Sequence, residues 1–164
     1  LRSGKKSAAA LTLLFDCLKG VLAVGLARLL YPENQTLIAL VALFVFLGHL
    51  FPIFFRFKGG KGVATALGIL LTLNIWLGLA TLFTWLIIAK FGKISSLAAI
   101  FAALLAPVYA YFMNSWLDKQ PLQAYLALIF VISTLLIWRH KKNIIQLLQG
   151  KENAINQRPS STES

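Results

Sequence analysis

Residues 57–65 read FKGGKGVAT and place three glycines and two lysines between long apolar runs. Glycine permits positive φ and close approach of the backbone, so successive N–H groups can turn toward one anion. A helix predicted to begin near Val63 adds the positive end of its dipole. We therefore predict a phosphate-binding segment, whose candidate residues are Lys58, Gly59, Gly60, Lys61, Gly62 and Thr65.

The segment is not a Walker A loop. That motif needs a glycine separated by four residues from the Gly-Lys pair and a Ser or Thr after the lysine. Phe55 holds the glycine position here, and Gly62 follows Lys61. The sequence therefore does not predict an ATPase, and the bland alternative is a basic turn that only sets membrane topology.

A second cluster, RHKKN at 139–143, ends the last apolar run. On a continuing helix His140 and Asn143 share a face, because they are three residues apart. A histidine and an amide beside a phosphate site can orient a substrate hydroxyl or transfer its proton. Basic residues are also routine at the end of a membrane span, which is the alternative interpretation.

Ionisable residues inside the apolar runs form a third group. Asp16 and Lys19 are spaced i, i+3 on one helix face, and such residues usually pair or line a polar site. His49 precedes Pro52, which interrupts its helix, so we expect the imidazole to hydrogen-bond a freed backbone carbonyl.

Two further stretches lie beside basic clusters. Arg2 and Lys5 belong to the glycine-containing start RSGKK and can contact phosphate. Ser95 and Ser96 follow Lys93, and we expect them chiefly to cap a helix, with substrate contact as the alternative.

Composition indicates an integral membrane protein. Hydrophobic residues make up 59% of the 164 residues and charged residues only 13%, about half the usual share of a soluble domain. The net charge of +11 comes from short basic clusters between apolar runs, which suits lipid headgroups and phosphorylated ligands better than nucleic acid. With one cysteine, Cys17, the chain has no internal disulfide, and we predict neither a metal site nor a cofactor.

The apolar runs predict an all-α polytopic bundle. They cover 8–30, 36–55, 63–89, 95–113 and 122–138. The third is long for one crossing, so we predict two short helices that turn near Asn74 and six crossings in all. Thirteen of the sixteen Lys and Arg then lie on one side and two on the other, which places both chain ends in the cytoplasm. We expect one membrane domain over 1–150 and a polar, disordered tail over 151–164.

Three stretches together resemble a known family, and the resemblance covers essentially the whole chain. GHLFPIFFRFKGGKGVATALG (48–68) is similar to the central motif of the bacterial acyl-phosphate:glycerol-3-phosphate acyltransferases, the PlsY family. RHKKNIIQLLQGKE (139–152) resembles its C-terminal motif, and LRSGKKSAAALTLLFDCLKG (1–20) resembles the end of its first motif and the helix that follows.

The resemblance implies a seven-helix protein of the bacterial inner membrane with a site that faces the cytoplasm. It implies transfer of a fatty acyl group from acyl phosphate to the 1-hydroxyl of glycerol 3-phosphate, with donor handover from the enzyme that forms acyl phosphate. By position, Lys61 and the glycines would cradle phosphate and Arg2 would be the first motif's arginine. His140 and Asn143 would orient glycerol phosphate, and Glu152 would hold structure.

The family's first span and its Ser-Gly-Asn-x-Gly-Ala-Thr-Asn loop are expected just before residue 1. Six spans from residue 1 onward agree with that expectation. Two other classes of function fit the same residues: a small transporter of anions or phosphorylated solutes, and a non-catalytic membrane subunit.

Overall fold

The computed structural model describes residues 6–57, 59–116, 123–152 and 155. These residues form seven α-helices and no β-strand. The helices are α1 (Lys6–Leu30), α2 (Gln35–Leu50), α3 (Val63–Leu73), α4 (Ile75–Gly92), α5 (Ser95–Trp116), α6 (Gln123–Arg139) and α7 (Lys141–Leu148). The predicted all-α class is confirmed.

Length and hydropathy suit these helices to a bilayer. Three stretches are long and apolar enough to cross a membrane: Ala8–Leu30, Ile75–Gly92 and Ser95–Met113. Helices α2, α3 and the greater part of α6 are shorter but also apolar. Many large apolar side chains face outward, such as Phe15 and Phe44, which suits a surface covered by lipid.

The long apolar run after the glycine segment breaks where the sequence predicts. Asn74 ends α3 and also begins α4, with its side-chain oxygen accepting from the Leu77 N–H at 3.0 Å. Asparagine is favoured at this capping position because its side chain replaces the missing helical acceptor. Asn34 begins α2 in the same way.

Helix α3 packs closely against α1, because small residues face each other. A methyl group on Gly20 would lie 2.7 Å from the carbonyl oxygen of Thr65, and one on Gly68 would overlap the backbone of Cys17. Small residues allow such close helix contact in membranes. The two helices run in the same direction, since Arg28 near the end of α1 reaches the end of α3.

Arg28 completes the hydrogen bonding at the end of α3. The turn at Asn74 leaves the last carbonyls of α3 without the next helical N–H groups. The Arg28 guanidinium donates to the carbonyl oxygens of Thr72 and Leu73, the latter at 3.2 Å. The negative end of the α3 dipole also attracts the positive charge of Arg28, which stabilises the helix.

Replacing Arg28 with alanine is expected to lower the free energy of unfolding by about 1.5–3 kcal/mol, the usual value of hydrogen bonds from a charged donor. Thermal unfolding in detergent measures the change. Arg28→Lys keeps the charge but not the forked donor geometry, so it should lie between wild type and Arg28→Ala. Equal stability of all three proteins would contradict this role.

The opposite end of the bundle gathers the ends of several helices and carries the candidate site. Gly59 and Gly60 lie against the last turn of α2 and against Arg139 at the end of α6. Glu152, after α7, reaches the start of α5. The N–H of Ile155 donates to the Lys93 carbonyl at the end of α4, 2.7 Å away, so described residues of the predicted tail lie on the bundle.

Candidate active site

The glycine segment is fixed by close packing on α2. The helix ends at Leu50, shortly before Pro52, which has no N–H to continue it. A short 3-10 turn, Ile53–Phe55, then leads toward the glycines. A methyl group on Gly59 would overlap the carbonyl oxygens of His49 and Leu50, and one on Gly60 would overlap the His49 ring. Only glycine fits at both positions.

Gly62 joins this segment to α3. Its φ of 88° lies in the left-handed region that favours glycine, and its carbonyl accepts from the Ala66 N–H at 2.8 Å. The first N–H groups of α3 have no earlier carbonyl of their own helix to bond. They give this corner of the molecule a positive potential beside Lys61.

Arg139 holds the glycine segment from the other side. Its guanidinium donates to the carbonyl oxygens of Gly59 at 2.8 Å and Gly60 at 3.1 Å, and it lies over the Phe51 ring. Sequence reasoning grouped Arg139 only with the basic cluster. Its partners are about eighty residues away in the chain, and no local pattern points to them.

Lys61 is exposed at an open basic cavity of about 490 Å³. The other residues around this basic cavity are Gly59, Gly60, Trp138, Arg139, Lys141 and Lys142. Four of the seven lining residues are cationic, and Lys141 lies over the Trp138 ring. The cavity therefore suits a phosphate-bearing ligand.

His140 is buried between α6 and α7, next in the chain to Arg139 and Lys141, which line this basic cavity. It is 1% exposed, and its Nδ1 lies 2.8 Å from the Leu136 carbonyl. A carbonyl only accepts, so Nδ1 carries the proton and Nε2 keeps a lone pair when the ring is neutral. Burial lowers the pKa of His140, with the charge of Lys61 acting in the same direction, against the Leu136 bond and Glu152, which raise it.

Glu152 links Asn143 and Ser96, two of the candidate residues predicted from the sequence. Its Oε1 accepts from Asn143 Nδ2 at 2.7 Å and from Ser96 Oγ at 2.8 Å. The bond from Ser96 replaces the expected capping role, because Ser96 is already the second residue of α5 and Ser95, the first, is exposed. The other oxygen, Oε2, is buried and has no hydrogen-bond partner among the described residues.

Thr65 does not line the basic cavity. It is the third residue of α3, as the sequence suggested, but it is fully buried where α3 packs on Gly20 of α1. Its hydroxyl has no hydrogen-bond partner in the part of the chain that the structure describes. Direct contact of Thr65 with a ligand therefore requires a change in this packing.

The remaining predicted residues either form a polar cluster within the helices or lie outside the part of the chain that the structure describes. The ion pair of Asp16 and Lys19 is present, at 2.6 Å. We expected His49 to hydrogen-bond a backbone carbonyl. Its Nδ1 lies instead 2.5 Å from Lys19 Nζ. Arg2, Lys5 and Lys58 lie outside the described residues.

A second, apolar cavity of about 300 Å³ begins at Val63, the first residue of α3. Val63, Ala64 and Leu67 of α3 form one wall, and Leu136 lies one turn before His140. Alanines of α5 leave the space open: Ala99, Ala102, Ala103 and Ala106. Its lining suits a hydrocarbon chain. Within the described ranges, no three His, Cys, Asp or Glu residues group closely enough to hold a metal.

Apolar helices long enough to cross a membrane, together with a cavity lined by four cationic residues, define an integral membrane protein with a candidate anion site. The glycerol-3-phosphate acyltransferase family model matches residues 1–150. The chain therefore belongs to the glycerol-3-phosphate acyltransferase family. The predicted membership and the predicted acyltransferase class are confirmed.

Individual relatives agree. Glycerol-3-phosphate acyltransferases of Ralstonia pickettii and Bordetella pertussis are each 55% identical to this chain over 96% of its length. The chain covers 75% and 74% of those proteins. A crystal structure of PlsY, an integral membrane glycerol 3-phosphate acyltransferase in its glycerol 3-phosphate form, is 34% identical, with a TM-score of 0.84 over 93% of this chain and 74% of that one. The lysophosphatidic acid form of PlsY gives a TM-score of 0.81, over 91% and 73%.

Proposed function

We propose that this protein transfers a fatty acyl group from acyl phosphate to the 1-hydroxyl of glycerol 3-phosphate. The products are lysophosphatidate and inorganic phosphate, and the reaction serves phospholipid biosynthesis. One observation carries the proposal: Lys61 lines the basic cavity, and Val63, two residues later in the chain, lines the apolar cavity. An acyl phosphate has a charged head and a hydrocarbon tail that match the two cavities.

The proposed reaction needs little covalent chemistry from the protein. The bond from the hydroxyl oxygen to the acyl carbon forms, and the bond from that carbon to the phosphate oxygen breaks. Inorganic phosphate leaves with the electron pair and, at the end, the hydroxyl proton. That proton passes either directly to a phosphate oxygen or first to Nε2 of His140. The protein contributes by placing two anions together in a positive field.

Several of the predicted residues have a role in this proposal. Lys61 and the first N–H groups of α3 bind phosphate, together with Arg2, Lys5 and Lys58. His140 and Asn143 orient the glycerol phosphate, and Glu152 holds Asn143 in position through its hydrogen bond. The proposed phosphate subsite therefore lies where the glycine segment enters α3.

The basic residues also support a location. Among the described residues, the end that carries the site holds most of the Lys and Arg, whereas Arg28 at the opposite end is bonded to α3. By the positive-inside rule, this distribution supports a site at the cytoplasmic face of the bacterial inner membrane. The donor would arrive there from the enzyme that forms it, either by handover or through the lipid phase.

Acyl transfer in vesicles tests the proposal. The full-length protein is reconstituted with palmitoyl phosphate and labelled glycerol 3-phosphate, and labelled lysophosphatidate is measured. Product in proportion to protein supports the proposal. Folded protein that forms no product contradicts it, and label that enters the vesicles unchanged would indicate a transporter instead.

The role of His140 predicts a pH dependence. With a lowered pKa, the ring is neutral at pH 7 and protonates only in more acidic solution, so kcat/KM should fall on the acid side as Nε2 is lost as a base. His140→Asn keeps a donor near the Leu136 carbonyl but does not titrate. We expect kcat/KM at pH 7.5 to fall by about 10²-fold in this variant.

A pH profile of both proteins gives the measurement. The variant should also lose the part of the acid limb that belongs to His140. If both profiles fall in parallel, the limb belongs to substrate phosphate, whose second pKa is about 6. A phosphate oxygen is then the base.

The apolar cavity predicts a limit on chain length. Ala102→Phe places a large ring among the alanines of α5, so we expect a shorter acyl chain to be preferred. Each excluded methylene costs about 0.8 kcal/mol, or roughly fourfold in affinity. Relative kcat/KM for acyl phosphates of increasing length measures this change, and Leu104→Phe on the exposed face of α5 is the matched control.

A further inference from the structure

Three polar side chains form a neutral cluster within the helices below the glycine segment. The Lys19 ammonium donates to Asp16 Oδ1 at 2.6 Å and to His49 Nδ1 at 2.5 Å. Asp16 Oδ1 also lies 3.3 Å from His49 Nδ1. With Nδ1 accepting, the imidazole is neutral and carries its proton on Nε2. One positive and one negative charge cancel, which makes the cluster tolerable inside a membrane helix bundle.

The far edge of the His49 ring forms the surface on which Gly60 lies. A methyl group on Gly60 would overlap His49 Nε2 and lie 2.7 Å from Cε1. The same histidine presents its carbonyl oxygen to Gly59. The ring therefore packs closely against the backbone directly before Lys61.

Two cationic side chains therefore act on the glycine segment, one directly and one through His49. Arg139 binds the carbonyl oxygens of Gly59 and Gly60 from α6. Lys19 acts from α1 through the ring of His49 and never reaches the segment by any hydrogen bond among the described residues. His49 is only 11% exposed at its side chain, so few other orientations are open to it.

We propose that Asp16, Lys19 and His49 act as a positioning group that sets where Lys61 stands, and through it the affinity for glycerol 3-phosphate. This inference rests on the proposed function. Asp16 and Lys19 fix the orientation of the His49 ring. The ring limits the position of the Gly60 backbone, and that backbone sets the position of Lys61. The three are positioning residues and do not contact substrate.

A double-mutant cycle tests the coupling. Binding of labelled glycerol 3-phosphate to the full-length protein in nanodiscs is measured for wild type, Lys19→Met, Lys61→Ala and the double variant. A displacement of about 1 Å can cost 10²-fold, so Lys19→Met should raise Kd by about 10–100-fold. In the Lys61→Ala background the same change should alter Kd by less than about twofold, because coupled residues are non-additive.

Two variants separate positioning from loss of fold. Lys19→Arg keeps a cationic donor to both partners and should restore most of the affinity. Thr84→Val removes another hydrogen bond within the helices, that to Tyr109 at 2.7 Å, and should leave Kd unchanged. Hydrogen exchange of the amides of residues 59–62 gives a readout independent of ligand, and Lys19→Met alone should speed it.

The outcomes are distinct. A wild-type protein that binds no glycerol 3-phosphate contradicts the proposed function and the affinity effect with it. Wild-type binding that Lys19→Met weakens equally in both backgrounds overturns the positioning group. Unchanged exchange at residues 59–62 in Lys19→Met overturns it as well, whatever the ligand data show.

Discussion

Replacement of Lys61 with alanine is expected to lower kcat/KM by about 10²–10³-fold, the usual effect of removing one group that stabilises developing charge. Lys61 stands at the basic cavity, beside the first N–H groups of α3. Its charge is also close enough to His140 to lower the pKa of that ring. Steady-state kinetics with palmitoyl phosphate and glycerol 3-phosphate in detergent gives the measurement.

Two controls sharpen this expectation. Lys90→Ala removes the same charge at the end of α4, where the ammonium lies over Phe91 and lines neither cavity, so kcat/KM should change less than about twofold. Lys61→Arg keeps the charge with a different shape and should retain part of the rate. Equal losses in Lys90→Ala and Lys61→Ala would mean that net charge, and not this site, governs the reaction.

Replacement of Gly59 with alanine is expected to be nearly as damaging, although it removes no charge. Its methyl group would overlap two main-chain carbonyl oxygens and lie 2.6 Å from the carbonyl carbon of Leu50, and a helix backbone cannot move aside as a side chain can. The glycine segment must shift away from α2 instead, which disturbs its bonds to Arg139 and displaces Lys61. We expect about 10²-fold lower kcat/KM and a stability loss of about 1–3 kcal/mol.

Gly48 provides the matched control for Gly59. It lies in the last turns of α2, directly before His49, and nothing lies within 4 Å of the position of an added methyl group. Gly48→Ala should therefore preserve activity and raise the free energy of unfolding by about 0.5–1 kcal/mol, since alanine favours the helix. A Gly59→Ala protein with wild-type kinetics would contradict close packing of the glycine segment against α2.

Local features of the chain were predictable from the sequence. The break at Asn74 follows from an apolar run too long for one crossing and too short for two full ones, together with an asparagine that favours a helix start. The pairing of Asp16 with Lys19 follows from their spacing on one helix. Both predictions depend only on residues that are close together in the chain.

Long-range partners were not predictable in this way. Arg139 bonds the glycine carbonyls and Arg28 bonds the end of α3, and neither partner is near in the chain. The glycines at 59 and 60 have a second explanation besides the phosphate site predicted from the sequence. Both residues pack so closely on α2 that a larger side chain would overlap it. The direction in which Thr65 points depends on how α3 packs against α1, which no pattern within α3 reveals.

The exposure of Lys61 has a consequence for competition by water. Lys61 is exposed at an open cavity, so bulk water reaches the phosphate subsite of the proposed function. Acyl phosphates are open to hydrolysis. The proposed reaction must therefore favour the hydroxyl of glycerol 3-phosphate over water by holding it close to the acyl carbon, and not by keeping solvent out.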